Sequence, residues 1–236
     1  MITFSNLERY GRLGNQLFQI ATTYAYAKDN NTTIGLPTWS YRSHFKLEDS
    51  IFDNYSTQYY TYHEIDSLNY NKIETYIDNV DLVGYFQSDK YFKQYKQDIL
   101  DMFKVNKHIN DYGFIHVRRG DYVQKQEYHP LQSVEYYING MDELGKSTYY
   151  CFSDDIQWCK DNIKDSRLIY IENTTEIDDL KLMMSCSASI IANSSFSWWG
   201  AYLGNHDNVI IPKNWFGYKY SWFNIEDKCC VKWKIR

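Results

Sequence analysis

Four short stretches of this chain carry residues that could bind a ligand, three of them an anion. In GFIHVRRGDYV (Gly113 to Val123), His116, Arg118 and Arg119 stand where an apolar run gives way to a Gly-Asp-Tyr turn. Adjacent guanidiniums match phosphate oxygens bidentately and stay charged at any working pH. An ion-pair cluster built on Asp121 is the plainer reading of the same residues. In FSDDIQWC (Phe152 to Cys159), Ser153, Asp154 and Asp155 lie between an apolar run and a helical pattern. An acid there caps a helix or accepts hydrogen bonds from a base or ribose, while a metal-binding Asp pair lacks any evident further ligand. In ANSSFSWWGAYLG (Ala192 to Gly204), Ser194 and Ser195 add hydroxyls to the free N–H groups of a helix start, which makes a phosphate seat. Trp198 and Trp199 read as packing. In GRLGNQLFQIA (Gly11 to Ala21), Gly14 would let a ligand approach the main chain. The third glycine of the dinucleotide fingerprint is missing there, and a tight turn without a ligand accounts for the motif equally.

The elements that must position these residues alternate. Strands are expected over Phe114–Val117, Thr148–Phe152, Arg167–Ile171, Ala188–Ala192 and Asn208–Ile211, with helices over Leu131–Leu144, Ile156–Ile163, Ile177–Cys186 and Phe196–Leu203. Short strands separated by helices imply right-handed crossovers and a parallel sheet. Thr175, with Glu176, Asp178 and Asp179 behind it, reads as a helix cap. Three of the four motifs then fall at strand C-termini of one sheet, where open α/β sheets bind ligands. That convergence points to a nucleoside-diphosphate site. The first half is less regular. It offers strands at Ile2–Phe4 and Asp81–Phe86 and helices at Asn15–Ala27 and Tyr91–Phe103, while 36–79 shows no order. A boundary falls near Lys104–Tyr112.

Composition narrows the class. A net charge of -5 over 236 residues argues against general nucleic-acid binding. The 24 Tyr and 7 Trp suit sugar faces, although most are expected to pack the core. Five cysteines, an odd number without C-x-x-C spacing, suggest neither a disulfide framework nor a zinc site. No basic-then-apolar leader opens MITFSNLERYG, and no apolar run approaches the ~18 residues of a membrane span. The expectation is a cytoplasmic protein with reduced thiols and no transmembrane segment.

GRLGNQLFQIA, GYFQSDKYF (Gly84 to Phe92), HVRRGDY, FSDD and NSSFSWWGAYLG, in this order, resemble the α-1,2-fucosyltransferases of glycosyltransferase family 11. The motifs span roughly 11–204, most of the chain. The resemblance implies an α/β fold of two Rossmann-like lobes, the glycosyltransferase B type, with a compact N-terminal lobe. It suggests an acceptor-side lobe over 1–110, a GDP-fucose lobe over 111–212, and a tail, 213–236, that packs back on the first lobe. It implies GDP-β-L-fucose as donor, a terminal β-galactoside as acceptor, inversion at the fucose anomeric centre, and no metal or cofactor. Residue by residue, Arg118 would hold the β-phosphate with Arg119 in support. His116 would line the donor pocket and Asp154 would meet guanine or ribose. Ser194, Ser195 and the backbone at Phe196 would seat the pyrophosphate. Gly14 and Asn15 would close on the donor from the other lobe. YGRLG departs from the family in having Arg12 where many bacterial members carry a second glycine.

A single displacement also wants a base for the acceptor hydroxyl. Asp121 is the first candidate, with Glu8 and Glu127 as substitutes, and Asp121 could equally be a structural partner of Arg119. Alternatives are a GDP-fucose transferase of another linkage and a non-catalytic carbohydrate-binding protein. A lectin, however, needs no pyrophosphate seat. The tail from Lys219 carries five basic residues against two acidic ones, interleaved with aromatics. Peripheral contact with an anionic membrane is one reading. The alternation at Val231, Trp233 and Ile235 favours a half-buried extended segment instead.

Overall fold

The computed structural model describes residues 1–53, 60–74, 78–105 and 108–236. Part of the 36–79 stretch lies outside the described residues. The chain divides into two units, Met1–Val105 and Asn106–Arg236.

The second unit is built on a six-stranded sheet. In chain order it contains β5 (Gly113–Val117), α3 (Val134–Leu144), β6 (Tyr149–Ser153), α4 (Ile156–Asn162), β7 (Leu168–Tyr170), α5 (Glu176–Ser185), β8 (Ala188–Ile190), α6 (Ser195–Gly204), β9 (Asn208–Ile211) and β10 (Lys234–Ile235). The earlier strands β1 to β4 and helices α1 and α2 belong to the first unit. Every pairing is parallel. The order is β10-β9-β8-β5-β6-β7. The chain therefore winds outward from β5 through β6 to β7. It then returns to β8 and winds the other way, so the reversal lies between β5 and β8. Helices cover both faces of such a sheet, and its strands lose the alternating pattern: all five residues of β5 are buried. Ile115, Val117, Tyr137, Met141, Cys151, Ile190 and Ile210 belong to one core cluster.

Local chemistry sets the helix ends. Thr175 and Asp178 form a reciprocal capping box on α5, as the acidic run after Thr175 predicts. Helix α3 begins later than the expected Leu131 because Ser133 Oγ accepts the Tyr136 N–H at 3.2 Å and caps it there.

The tail's alternating residues form an extended segment, and β10 joins β9 of the second unit's own sheet. Without it β9 would be an open edge. Trp233 is buried there beside Trp198, with ring centroids 5.5 Å apart. Four of the tail's basic residues face acids: Lys219 faces Glu127, Lys232 faces Asp207, and Lys234 and Arg236 share Glu143. The fifth, Lys228, is buried. These acids offset part of the tail's positive charge. No helix among the described residues is long and apolar enough to cross a membrane.

The first unit holds β1 (Ile2–Thr3), α1 (Leu13–Asp29), β2 (Ile34–Gly35), β3 (Tyr60–His63), β4 (Val80–Val83) and α2 (Lys96–Met102). Its sheet, β2-β1-β4-β3, is also parallel throughout. The strand expected over Asp81–Phe86 stops at Val83. Beyond it the Glu64 carboxylate takes the Tyr85 and Phe86 N–H groups, at 2.7 and 2.9 Å, in place of a ladder partner. The helix expected over Tyr91–Phe103 is two single turns, Asp89–Tyr91 and Lys93–Tyr95, followed by α2. Phe92, at φ -141°, breaks the helical path.

Candidate active site

Strand β5 ends at Val117, so the next residues leave the sheet at its carboxyl edge. Arg118 Nη1 donates to Asp154 and Nη2 to Asp121. Asp154 also accepts the Arg119 backbone N–H at 2.8 Å. The Arg119 Nε–H donates to Asp155 at 3.0 Å, and its guanidinium lies 3.8 Å above the Trp158 ring. Asp155 caps α4 as well, accepting the Trp158 N–H at 3.3 Å. Lys125 Nζ approaches Asp121 at 3.9 Å. Three cations thus meet three carboxylates, and the cluster is neutral before any ligand arrives.

Gly120 makes the arrangement possible. A Cβ there would lie 2.3 Å from Asp154 Oδ2, and its φ of +22° disfavours other residues. The expected pairing of Asp121 with Arg119 is corrected by this geometry. Asp121 belongs to Arg118, and Arg119 belongs to Asp155.

His116 points its ring from the same strand into the interior and is 6% exposed. Burial, helped by the nearby Arg118 charge, pushes its pKa down to about 3. The imidazole is therefore neutral at working pH. Its Nδ1 has no hydrogen-bond partner among the described residues. Its ring meets Phe196 at 6.0 Å, edge to face. Phe196 lies in the first turn of α6, so this contact spans the reversal between β5 and β8. Ser194 is the N-cap of α6 but makes no side-chain cap hydrogen bond, and no acid stands in the helix's first turn. The helix start after β8 therefore offers N–H groups to an anion.

The predicted residues divide as the units do. His116, Arg118, Arg119, Asp121, Asp154, Ser194, Ser195 and Phe196 all lie at the carboxyl edge of the six-stranded sheet, around its reversal. Gly14 and Asn15 lie in the first unit, in the first turn of α1. Gln87 donates to Asn15 Oδ1 at 2.7 Å. The left-handed glycine of that loop is Gly11, at φ +84°, three residues before Gly14. The alternative bases are engaged elsewhere. Glu127 accepts the Tyr218 hydroxyl at 2.9 Å, and Glu8 holds the Ser40 N–H at 2.8 Å.

Comparison with known proteins bears on this arrangement. The model of glycosyl transferase family 11 matches residues 3–234. The chain belongs to that family. An α-1,2-colitosyltransferase of Escherichia coli is 30% identical over 94% of this chain and 95% of its own length. A galactoside α-(1,2)-fucosyltransferase 2 of Oryctolagus cuniculus is 24% identical over 85% of this chain and 67% of its own. Among solved structures, the α-1,6-fucosyltransferase NodZ soaked with GDP-fucose matches with TM-score 0.53. It is 11% identical and covers 86% of this chain and 90% of its own. POFUT1 in complex with GDP gives TM-score 0.53 at 11% identity, over 87% of this chain and 94% of its own. The family 11 chain therefore has the α/β fold of the GT-B fucosyltransferases and is a glycosyltransferase.

Sequence reasoning missed Trp158, Tyr122 and Asn193 as parts of this site. Trp158 stands three residues after the cap Asp155, a spacing that places it one helical turn on. Nothing in the sequence says that an arginine from another strand will lie on it.

Proposed function

We propose that this enzyme transfers L-fucose from GDP-β-L-fucose to the 2-hydroxyl of a terminal β-galactoside, inverting the anomeric centre. The observation that supports it best is the placement of Arg118 and the α6 N-terminus on the two sides of the strand reversal. Between them they can meet both phosphates of a nucleoside diphosphate. As the glycosidic bond breaks, the sugar becomes oxocarbenium-like and negative charge grows on the departing GDP. Fixed guanidinium and helix N–H groups stabilise that charge most as it develops, so they lower the barrier and do not merely tighten binding. Arg119 holds Asp155 and supports the loop. His116, uncharged, lines the donor pocket, and Asp154 faces the nucleoside.

A phosphate arriving at Arg118 competes with its carboxylate partners. Displacement of Asp121 frees that carboxylate to accept the acceptor's proton, so one exchange would both seat the donor and release the base. The acids of the cluster serve arginines in this scheme, and no metal ion is required.

Incubation with GDP-fucose and lactose, with released GDP and product linkage measured, tests the reading. An α-1,2-linked product that forms unchanged in EDTA is expected. Another linkage, or a loss in EDTA reversed by manganese, would overturn the corresponding part. The likeness to the E. coli colitosyltransferase supports one variant, in which colitose is the sugar transferred. A parallel assay with a colitosyl donor separates the two.

A further inference from the structure

Tyr122 and Asn193 lie inside the motifs yet have no part in the chemistry above. The Arg118 guanidinium carbon is 5.1 Å from the centroid of the Tyr122 ring. That ring stacks on His129, with centroids 4.6 Å apart and planes 16° off parallel. His129 in turn meets Phe216 at 5.8 Å and Tyr220 at 6.4 Å. The Tyr122 hydroxyl donates to the Asn193 carbonyl at 3.2 Å. Asn193 is buried, and its amide donates to the carbonyls of Pro130 and Trp215 at 3.1 and 3.0 Å. Asn193 immediately precedes Ser194, the cap of α6. One phenol thus links the arginine after β5 to the helix start after β8.

We propose that Tyr122 is a positioning residue that holds Arg118 at a fixed place relative to the N-terminus of α6, so that the two halves of the diphosphate seat keep their spacing. The inference rests on the donor reading above. The reason lies in what each partner of Arg118 occupies. Asp121 and Asp154 use the N–H edges of the guanidinium, the edges a phosphate needs, so they compete with the donor. Tyr122 carries no charge, so its contact with the guanidinium does not cancel the positive charge that a phosphate needs. It can hold the arginine through the exchange of carboxylate for phosphate. The hydroxyl ties the ring to Asn193, so a displacement of the arginine loop would also strain the helix start. Burial raises the Tyr122 pKa and lowers that of His129, so both rings are neutral at working pH and no second cation enters the stack.

The test is a double-mutant cycle on the full chain, read by GDP calorimetry and by donor kinetics. Tyr122→Leu removes the ring and is expected to weaken GDP binding and lower kcat by roughly tenfold. Tyr122→Phe keeps the ring but loses the bond to Asn193, and is expected to cost about threefold. In an Arg118→Ala background both changes should have no further effect, because Tyr122 acts through Arg118. Equal losses in both backgrounds would overturn the positioning role, as would wild-type binding and turnover in Tyr122→Leu. Should Tyr122→Leu fail to fold by circular dichroism, the Tyr122→Phe arm of the cycle decides by the same rule. Unchanged binding and turnover in Arg118→Ala alone would instead overturn the donor reading.

Discussion

The two sheets are both parallel and differ in winding and in what they carry at their carboxyl edges. The second winds outward in both directions from the reversal between β5 and β8, whereas in the first the chain crosses to the outer strand β3 before it fills the inner place with β4. The second unit's carboxyl edge carries guanidiniums, carboxylates and a helix start. The first unit's carries amides and rings beside the exposed Glu8, Arg9 and Arg12 of the loop after β1. Gln19 Nε2 donates to the Tyr10 and Gly84 carbonyls at 2.9 and 3.2 Å, Gln16 Nε2 to the Gly11 carbonyl at 3.1 Å, and Gln87 to Asn15. Tyr10 lies edge to face with Tyr85 at 6.2 Å. The buried acid of this sheet, Asp81, is occupied in accepting from Thr3 Oγ1 and from the Ser5 N–H and hydroxyl. Two parallel sheets therefore present two chemistries. Fixed cations suit a diphosphate, and neutral amides with exposed aromatic area suit sugar hydroxyls and faces.

The contrast breaks first at Arg118. Arg118→Ala should cost ~2–4 kcal/mol of transition-state stabilisation, read as a fall in kcat/KM of roughly 30- to 1000-fold. Arg118→Lys should recover little, since an ammonium cannot reproduce the fork. Turnover near wild type in a folded Arg118→Ala would remove the leaving-group role.

Deleting Val231–Arg236 should strip β10 and Trp233 from the second unit. Loss of one buried Trp alone costs about 3 kcal/mol, so the melting temperature should fall by several degrees while binding to anionic liposomes stays at background. A stable truncation that loses liposome binding would favour the membrane reading.

Acid should strain the second unit through His116. Its folded pKa lies below the unfolded value of about 6.5, so the unfolded chain takes up a proton that the folded chain refuses. The stability is complete above about pH 6.5 and falls as the pH drops towards about 3. By pH 5 the loss is about 2 kcal/mol at most. His116→Gln should flatten the stability–pH curve over that window in denaturant titrations. An unchanged slope would mean that His116 is not the group responsible.

The smallest effect sharpens the other side. Tyr10→Ala should raise the acceptor KM by about threefold to tenfold, on the scale of one lost aromatic contact, with GDP affinity unchanged. A weakened GDP affinity with an unaltered acceptor KM would reverse the division of labour between the two edges.

The second unit was the more legible in sequence, for a physical reason. Its strands are short apolar runs bounded by turn residues, its helices have local caps such as Thr175, and local patterns report local structure. The first unit's ends are set by distant side chains. Glu64 stops β4 and Asp81 pins the loop after β1, and neither partner is near in sequence. The arginine and serine motifs were likewise legible as anion seats, because residue type alone fixes a guanidinium's charge and a helix start's free N–H groups. Only the tertiary structure decided who meets whom. It gave Asp121 and Asp154 to Arg118, Asp155 and Trp158 to Arg119, the tail to β9, and Tyr122 to both sides of the reversal. Those pairings depend on strand order, and parallel strands are joined through crossovers that a linear pattern does not rank.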